Sequence, residues 1–125
     1  MKGILIGVFI LIFTLSSCDN EVTAEFVVIN KTEFKIDSLK IEPMVNSNGK
    51  YIYLKPNENV KYKADMTGIP KTDGSYRLSY KQNGELKVKD FGYYTNGYPT
   101  EKLTKIYIEV DSLKFDMEFD SFLNN

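Results

Sequence analysis

The chain has no histidine and no tryptophan, a single cysteine at position 18 and a single arginine at position 77. Without histidine, a Ser-His-Asp triad, a Cys-His pair and a histidine-ligated zinc site are all excluded. One thiol cannot close an internal disulfide. No phosphate-binding loop, no Gly-rich dinucleotide fingerprint and no Asp-rich calcium loop ending in Glu occurs in the sequence, so no cofactor or metal is implied. Basic and acidic groups nearly cancel, 16 against 17, which leaves no basic footprint for nucleic acid. The chemistry that remains needs only carboxylates, as in glycoside hydrolysis, and Asp65, Asp73, Asp90 and Glu101 fall near predicted strand ends or loops. Spacing does not pair them, and solvated loop residues are the preferred reading of all four.

What is present begins at the N-terminus. Lys2 provides a short basic region and residues 4–13 form an apolar run broken only by Gly7, the pattern of a secretory signal. Even counted on to Leu15, the run is shorter than the roughly 20 residues that span a bilayer. Leu15-Ser16-Ser17-Cys18 then resembles the lipobox of bacterial lipoproteins, where a branched apolar residue and two small residues precede a cysteine. The resemblance implies that residues 1–17 are removed and that Cys18 carries diacylglycerol in thioether linkage. Residues 18–21 then form a short tether, and 22–125 the folded domain. Its partner through the lipid is a membrane. The alternative is an ordinary signal peptide that precedes a free cysteine.

Asp19 and Glu21, next to the lipidated position, resemble export signals of surface lipoproteins in Bacteroidetes-type bacteria, although the lysine or glutamine often found there is missing. In enteric bacteria an aspartate directly after the cysteine resembles an inner-membrane retention signal instead. Lysine, asparagine, isoleucine and tyrosine are abundant, a composition that fits the first group and favours the outer membrane, on its periplasmic face or at the cell surface. The chain is thus similar to small Bacteroidetes-type envelope lipoproteins.

Through the rest of the sequence, apolar residues recur every second position in runs of about five to eight, separated by Gly, Pro, Asn and Asp. Val60, Tyr62, Ala64 and Met66 alternate with Asn59, Lys61, Lys63 and Asp65, and Tyr76, Leu78 and Tyr80 with Arg77, Ser79 and Lys81. Such alternation gives one buried and one solvated face. Further strands are predicted at 22–29, 34–41, 51–54, 85–91, 103–110 and 113–119.

A three-residue loop at Gln82-Asn83-Gly84 pairs Tyr80 with Leu86 and Leu78 with Val88, whereas a two-residue turn puts Lys87 and Lys89 on the core face, so the longer loop is predicted. A two-residue link at Asp111-Ser112 pairs Val110 with Leu113, Ile108 with Phe115 and Ile106 with Met117. About seven or eight strands, each with one apolar face, predict an all-β fold, a single antiparallel β-sandwich or related Greek key. That arrangement is similar to immunoglobulin-like or transthyretin-like modules, without the cysteine pair and core tryptophan of true immunoglobulin domains.

Residues 91–99 concentrate tyrosine, glycine and proline. Read as a loop, they offer Tyr93, Tyr94, Asn96 and Tyr98 to a sugar or protein ligand; read as a hairpin connection, they cap one end of the sandwich. Lys61, Lys63, Lys87 and Lys89 are expected outward, as are Asp116, Glu118 and Asp120, for solubility and cross-strand pairing. Asp37-Ser38-Leu39 recurs as Asp111-Ser112-Leu113. The echo marks two turns or bulges, and the tripeptide also resembles the O-glycosylation acceptor of Bacteroidetes-type bacteria at Ser38 and Ser112. Asn30-Lys31-Thr32 matches the N-glycosylation pattern, whose machinery is not expected in this compartment.

Three function classes survive. The leading one is a non-enzymatic binding or assembly module with a protein or glycan partner. The others are an immunity protein or inhibitor against an envelope-acting enzyme, and a carboxylate-dependent glycan hydrolase.

Overall fold

The computed structural model describes residues 21–119; the expected signal segment, the lipobox with Cys18, and residues 120–125 lie outside the described residues. Every regular element among the described residues is a strand: β1 (Thr23–Asn30), β2 (Ile36–Pro43), β3 (Ile52–Leu54), β4 (Asn59–Asp65), β5 (Gly74–Gln82), β6 (Glu85–Thr95), β7 (Tyr98–Pro99), β8 (Leu103–Ile108) and β9 (Leu113–Glu118). They form a four-stranded sheet, β4-β1-β8-β9, packed on a five-stranded sheet, β3-β2-β5-β6-β7. Neighbours run antiparallel except β1 and β8, which are parallel. The chain is therefore an all-β sandwich, as the alternating pattern predicts.

The core is built by that alternation. Phe26 and Val28 on β1 and Ile106 and Ile108 on β8 face Ile36, Leu39 and Ile41 on β2 and Tyr76 and Leu78 on β5, all buried. Full burial of side chains this size stabilises by about 1.5–3 kcal/mol each. Aromatic rings bridge the sheets: Phe26 meets Tyr76 edge-on at 5.3 Å, and Phe91 stacks on Phe115 at 4.7 Å.

All eight predicted strands are present, and the ninth, β7, is the short partner of the end of β6. Two predicted registers are not. Asn83 and Gly84 form a two-residue turn with φ of 54° and 78°, and Tyr80 pairs with Lys87 and Leu78 with Lys89. Two successive left-handed residues match the twist of a hairpin, which a longer loop would have to reach by other means. Lys87 and Lys89 consequently point inward and Leu86 and Val88 outward, the reverse of expectation. The inversion is tolerated because β7 pairs only with Tyr94 and Thr95, leaving the first part of β6 as an edge unpaired among the described residues. There the lysines reach water through the opening between β6 and β9, lined by Tyr80, Lys87, Lys89, Leu113 and Phe115. Inward charges on an edge strand also discourage pairing with a second chain.

In the last hairpin Ile108 pairs with Leu113 and Ile106 with Phe115, two residues away from the predicted match. Residues 109–112 make a longer turn, closed by the Glu109 N–H donating to the Ser112 carbonyl at 3.0 Å, and Val110 is left exposed at its tip. A slip of two residues keeps the same side chains facing inward, so alternation alone cannot tell these registers apart.

Candidate functional site

Residues 91–99 form a hairpin rather than a loop. After Phe91 the strand carries an extra residue: Tyr76 pairs with Phe91 but Gly74 with Tyr94, and Gly92 at φ 69° absorbs the bulge. The bulge turns Tyr94 inward where an unbroken strand would turn Tyr93 in. Asn96 and Gly97, at φ of 53° and 79°, close the turn and pair Thr95 with Tyr98.

The expected ligand-facing group is thereby divided. Tyr94 is 0 % exposed and belongs to the core, out of reach of a ligand. Tyr93 and Tyr98 are 48 % and 50 % exposed on the outer side. The Tyr93 hydroxyl donates to Asp73 at 2.7 Å and its N–H to Glu101 at 3.1 Å, while the Lys71 ammonium lies 4.6 Å from the centre of the Tyr98 ring. The Asn96 N–H donates to the other Asp73 oxygen at 3.0 Å. Asp73 thus ties the hairpin tip to the β4–β5 connection. The two donors hold its carboxyl below the usual range, and the same bond raises the Tyr93 phenol.

The buried Tyr94 hydroxyl has no hydrogen-bond partner among the described residues and lies against Gly74. An unpaired hydroxyl in the interior is destabilising. Tyr94→Phe is therefore expected to raise stability by about 1 kcal/mol, read as a higher urea midpoint with an unchanged slope; a lower midpoint would mean that a partner holds the hydroxyl.

The other expected residues are dispersed. Asp65 accepts from the Thr67 N–H at 2.9 Å, and Asp90 forms a two-pronged pair with Arg77 at 2.8 and 3.3 Å. Both carboxyls are lowered, Asp65 by the Thr67 backbone and Asp90 by Arg77, which favours the ionised form over the neutral form a general acid needs. Ser38, at φ 49°, sits with Leu39 in a bulge of β2 opposite Tyr80, half-buried. Ser112 stands exposed in the β8–β9 turn, 3.0 Å from Glu109. The echoed tripeptide thus occupies a bulge in one place and a turn in the other. Asn30 is fully buried and its amide nitrogen donates to the carbonyls of Phe34 and Lys55, so it offers no acceptor for a sugar.

Sequence reading missed the outer face of the five-stranded sheet. There Tyr51 (64 % exposed), just before β3, and Tyr53 within it stand on one side, and Leu86 (60 %) and Val88 stand on β6 at the other. Between them Ser38, Lys40, Ser79 and Lys81 floor a concavity of about 370 Å³, with Tyr51 and Leu86 as its walls. Lys40 is held 3.2 Å from Glu42, the contact that raises its pKa, and 5.1 Å from the centre of the Tyr51 ring. A second concavity, of about 460 Å³, lies against Lys31, Tyr107, Lys114 and Asp116, but no large apolar side chain there is strongly exposed. Leu86 and Val88 reach the outer face only through the Asn83-Gly84 register, so the dipeptide was the signal that could have revealed this patch. The sequence matches no family model, and a search of curated proteins finds no relative.

Proposed function

We propose that the chain is a lipid-anchored envelope protein, held in a bacterial outer membrane by diacylglycerol on Cys18, that binds a protein partner without catalysis. The observation that carries this reading is the exposed patch of Tyr51, Tyr53, Leu86 and Val88 around the lysine- and serine-floored concavity. Clustered large apolar side chains on a soluble face mark interaction sites more often than scattered ones do. Leu86 and Val88 give aliphatic contact that suits protein better than sugar. The Lys40 ammonium beside Tyr51 competes for the ring face a sugar would stack on. Support for the non-catalytic part comes from Asp65, Asp73, Asp90 and Glu101, each engaged by a structural donor.

The test is a photoreactive amino acid placed at Leu86 in intact cells, with Lys61 on the other sheet as the control position. A discrete adduct from position 86 that disappears in Tyr51→Ser/Val88→Ser is expected. Equal adducts from both positions, or none from 86, would remove this face as the binding surface.

A further inference from the structure

The strand directions bring the start of the folded domain and several exposed apolar side chains to one end of the sandwich. Val22 lies there: its N–H donates to the Thr67 hydroxyl at 2.9 Å, and its carbonyl accepts from Met66 at 2.8 Å. The β6–β7 tip is at the same end, since the Gly97 N–H donates to Thr72 at 3.0 Å. So is the end of β2, where the Met44 N–H donates to Ser75 at 3.1 Å. So is the end of β9, where Lys102 donates to Glu118 at 2.7 Å. Among the described residues, Met44, Val45, Tyr93, Tyr98 and Phe119 are exposed at this end, whereas the opposite end carries Phe34 and Val110, with Tyr53 and Leu86 near it on the outer face of the five-stranded sheet.

We propose that this end of the sandwich rests in the headgroup layer of the bilayer that holds Cys18. The inference stands on the lipid-anchor reading above and deepens it. Cys18 is four residues from Val22, and four residues reach at most roughly 14 Å even fully extended. A thioether-linked lipid fixes that cysteine at the membrane surface, so the end bearing Val22 faces the bilayer at close range whatever the tether does. Tyrosine suits this layer because its ring is apolar and its hydroxyl wet. Lys71, lying along the Tyr98 ring, can keep its ammonium in water while its stem covers apolar surface.

Charge selects the kind of lipid. Lys50, Lys71 and Lys102 at this end are outnumbered by Glu21, Asp65, Asp73 and Glu118, which disfavours anionic headgroups, so the contact is with a zwitterionic surface. The domain then stands with its strands upright, and the outer face of the five-stranded sheet is presented sideways to a partner. Tyr93 and Tyr98 serve the membrane in this arrangement rather than a soluble ligand.

The experiment uses the full lipoprotein, extracted from cell membranes and reconstituted into phosphatidylcholine vesicles. Because the lipid blocks Cys18, a nitroxide can be placed on one introduced cysteine at a time, in Tyr98→Cys, Val45→Cys and, at the far end, Val110→Cys. Nitroxides at 98 and 45 are expected to be relaxed by oxygen and shielded several-fold from a water-soluble nickel chelate relative to 110. Nickel access at 98 and 45 equal to that at 110 overturns the proposal while leaving the anchor intact. Shielding from both relaxants at 98 and 45 also overturns it, in favour of a protein contact. A protein mass without diacylglycerol, or nitroxide on Cys18 itself, would overturn the anchor and the proposal together.

Discussion

Asn30→Asp is expected to destabilise the domain by about 3 kcal/mol or more. Asn30 is fully buried and uses every hydrogen-bonding position of its amide. Its nitrogen donates to the Phe34 carbonyl at 2.8 Å and the Lys55 carbonyl at 3.0 Å. Its oxygen accepts from the Thr32 N–H at 3.0 Å and lies 2.7 Å from the Thr32 hydroxyl. One side chain thus fixes the β1–β2 connection and the turn before β4. A carboxylate keeps the oxygen's contacts but sets a buried negative charge against two carbonyl oxygens, which each lose the amide donor and keep only the Glu58 N–H (to Lys55) and the Thr32 hydroxyl (to Phe34), both at 3.1 Å. For a domain near 100 residues, the loss corresponds to a melting temperature lower by roughly 15 °C.

The deficit should also depend on pH. The new carboxyl is buried without a cation, so its folded-state pKa lies above the unfolded value. Between those two values the folded state holds a proton that the unfolded state releases, and stability falls as pH rises. Thermal denaturation of the variant at pH 4 and pH 7 is expected to show the smaller loss at pH 4, where the protonated acid restores one donor. A loss independent of pH would mean that the site admits water.

Nothing in the spacing of apolar residues singles out Asn30, which reads as the first polar residue after a strand and as part of a glycosylation triplet. Its role comes from two turns that are 25 residues apart in the chain and meet only in the fold. The strands were legible because a sandwich needs one apolar face per strand and period-two alternation records that need directly. Register was less legible, for two different reasons. At 108–113 the predicted and actual pairings differ by two residues and bury the same set, so alternation carries no information. At 83–84 alternation favoured the wrong pairing, because on an edge strand the requirement for an apolar inner face is weak and turn geometry overrides it. The exposed patch on the five-stranded sheet was hidden by that one choice. The same dipeptide recurs at Asn96-Gly97, again as a tight turn, and trusting it would have converted the tyrosine-rich loop into the hairpin it is.

Gly92→Ala is expected to cost about 2–4 kcal/mol, by adding a left-handed backbone penalty of about 1–2 kcal/mol to the strain of overpacking. Gly92 has φ 69°, and a Cβ there would come within 2.9 Å of the Tyr76 ring, which is itself buried against Phe26 and Phe91. Neither clash nor backbone can relax cheaply, since the bulge at Gly92 sets which tyrosine of the pair 93–94 enters the core. Gly84→Ala is the matched control: its φ is 78°, but nothing lies within 4 Å of the added methyl, so only the backbone penalty of about 1–2 kcal/mol should be seen. Urea denaturation of the two variants separates the contributions, the excess at position 92 being the steric part. Equal losses would show that Tyr76 moves aside. In that case the bulge, and with it the exposure of Tyr93 toward Asp73, would be held by the turn at Asn96-Gly97 rather than by packing at Gly92.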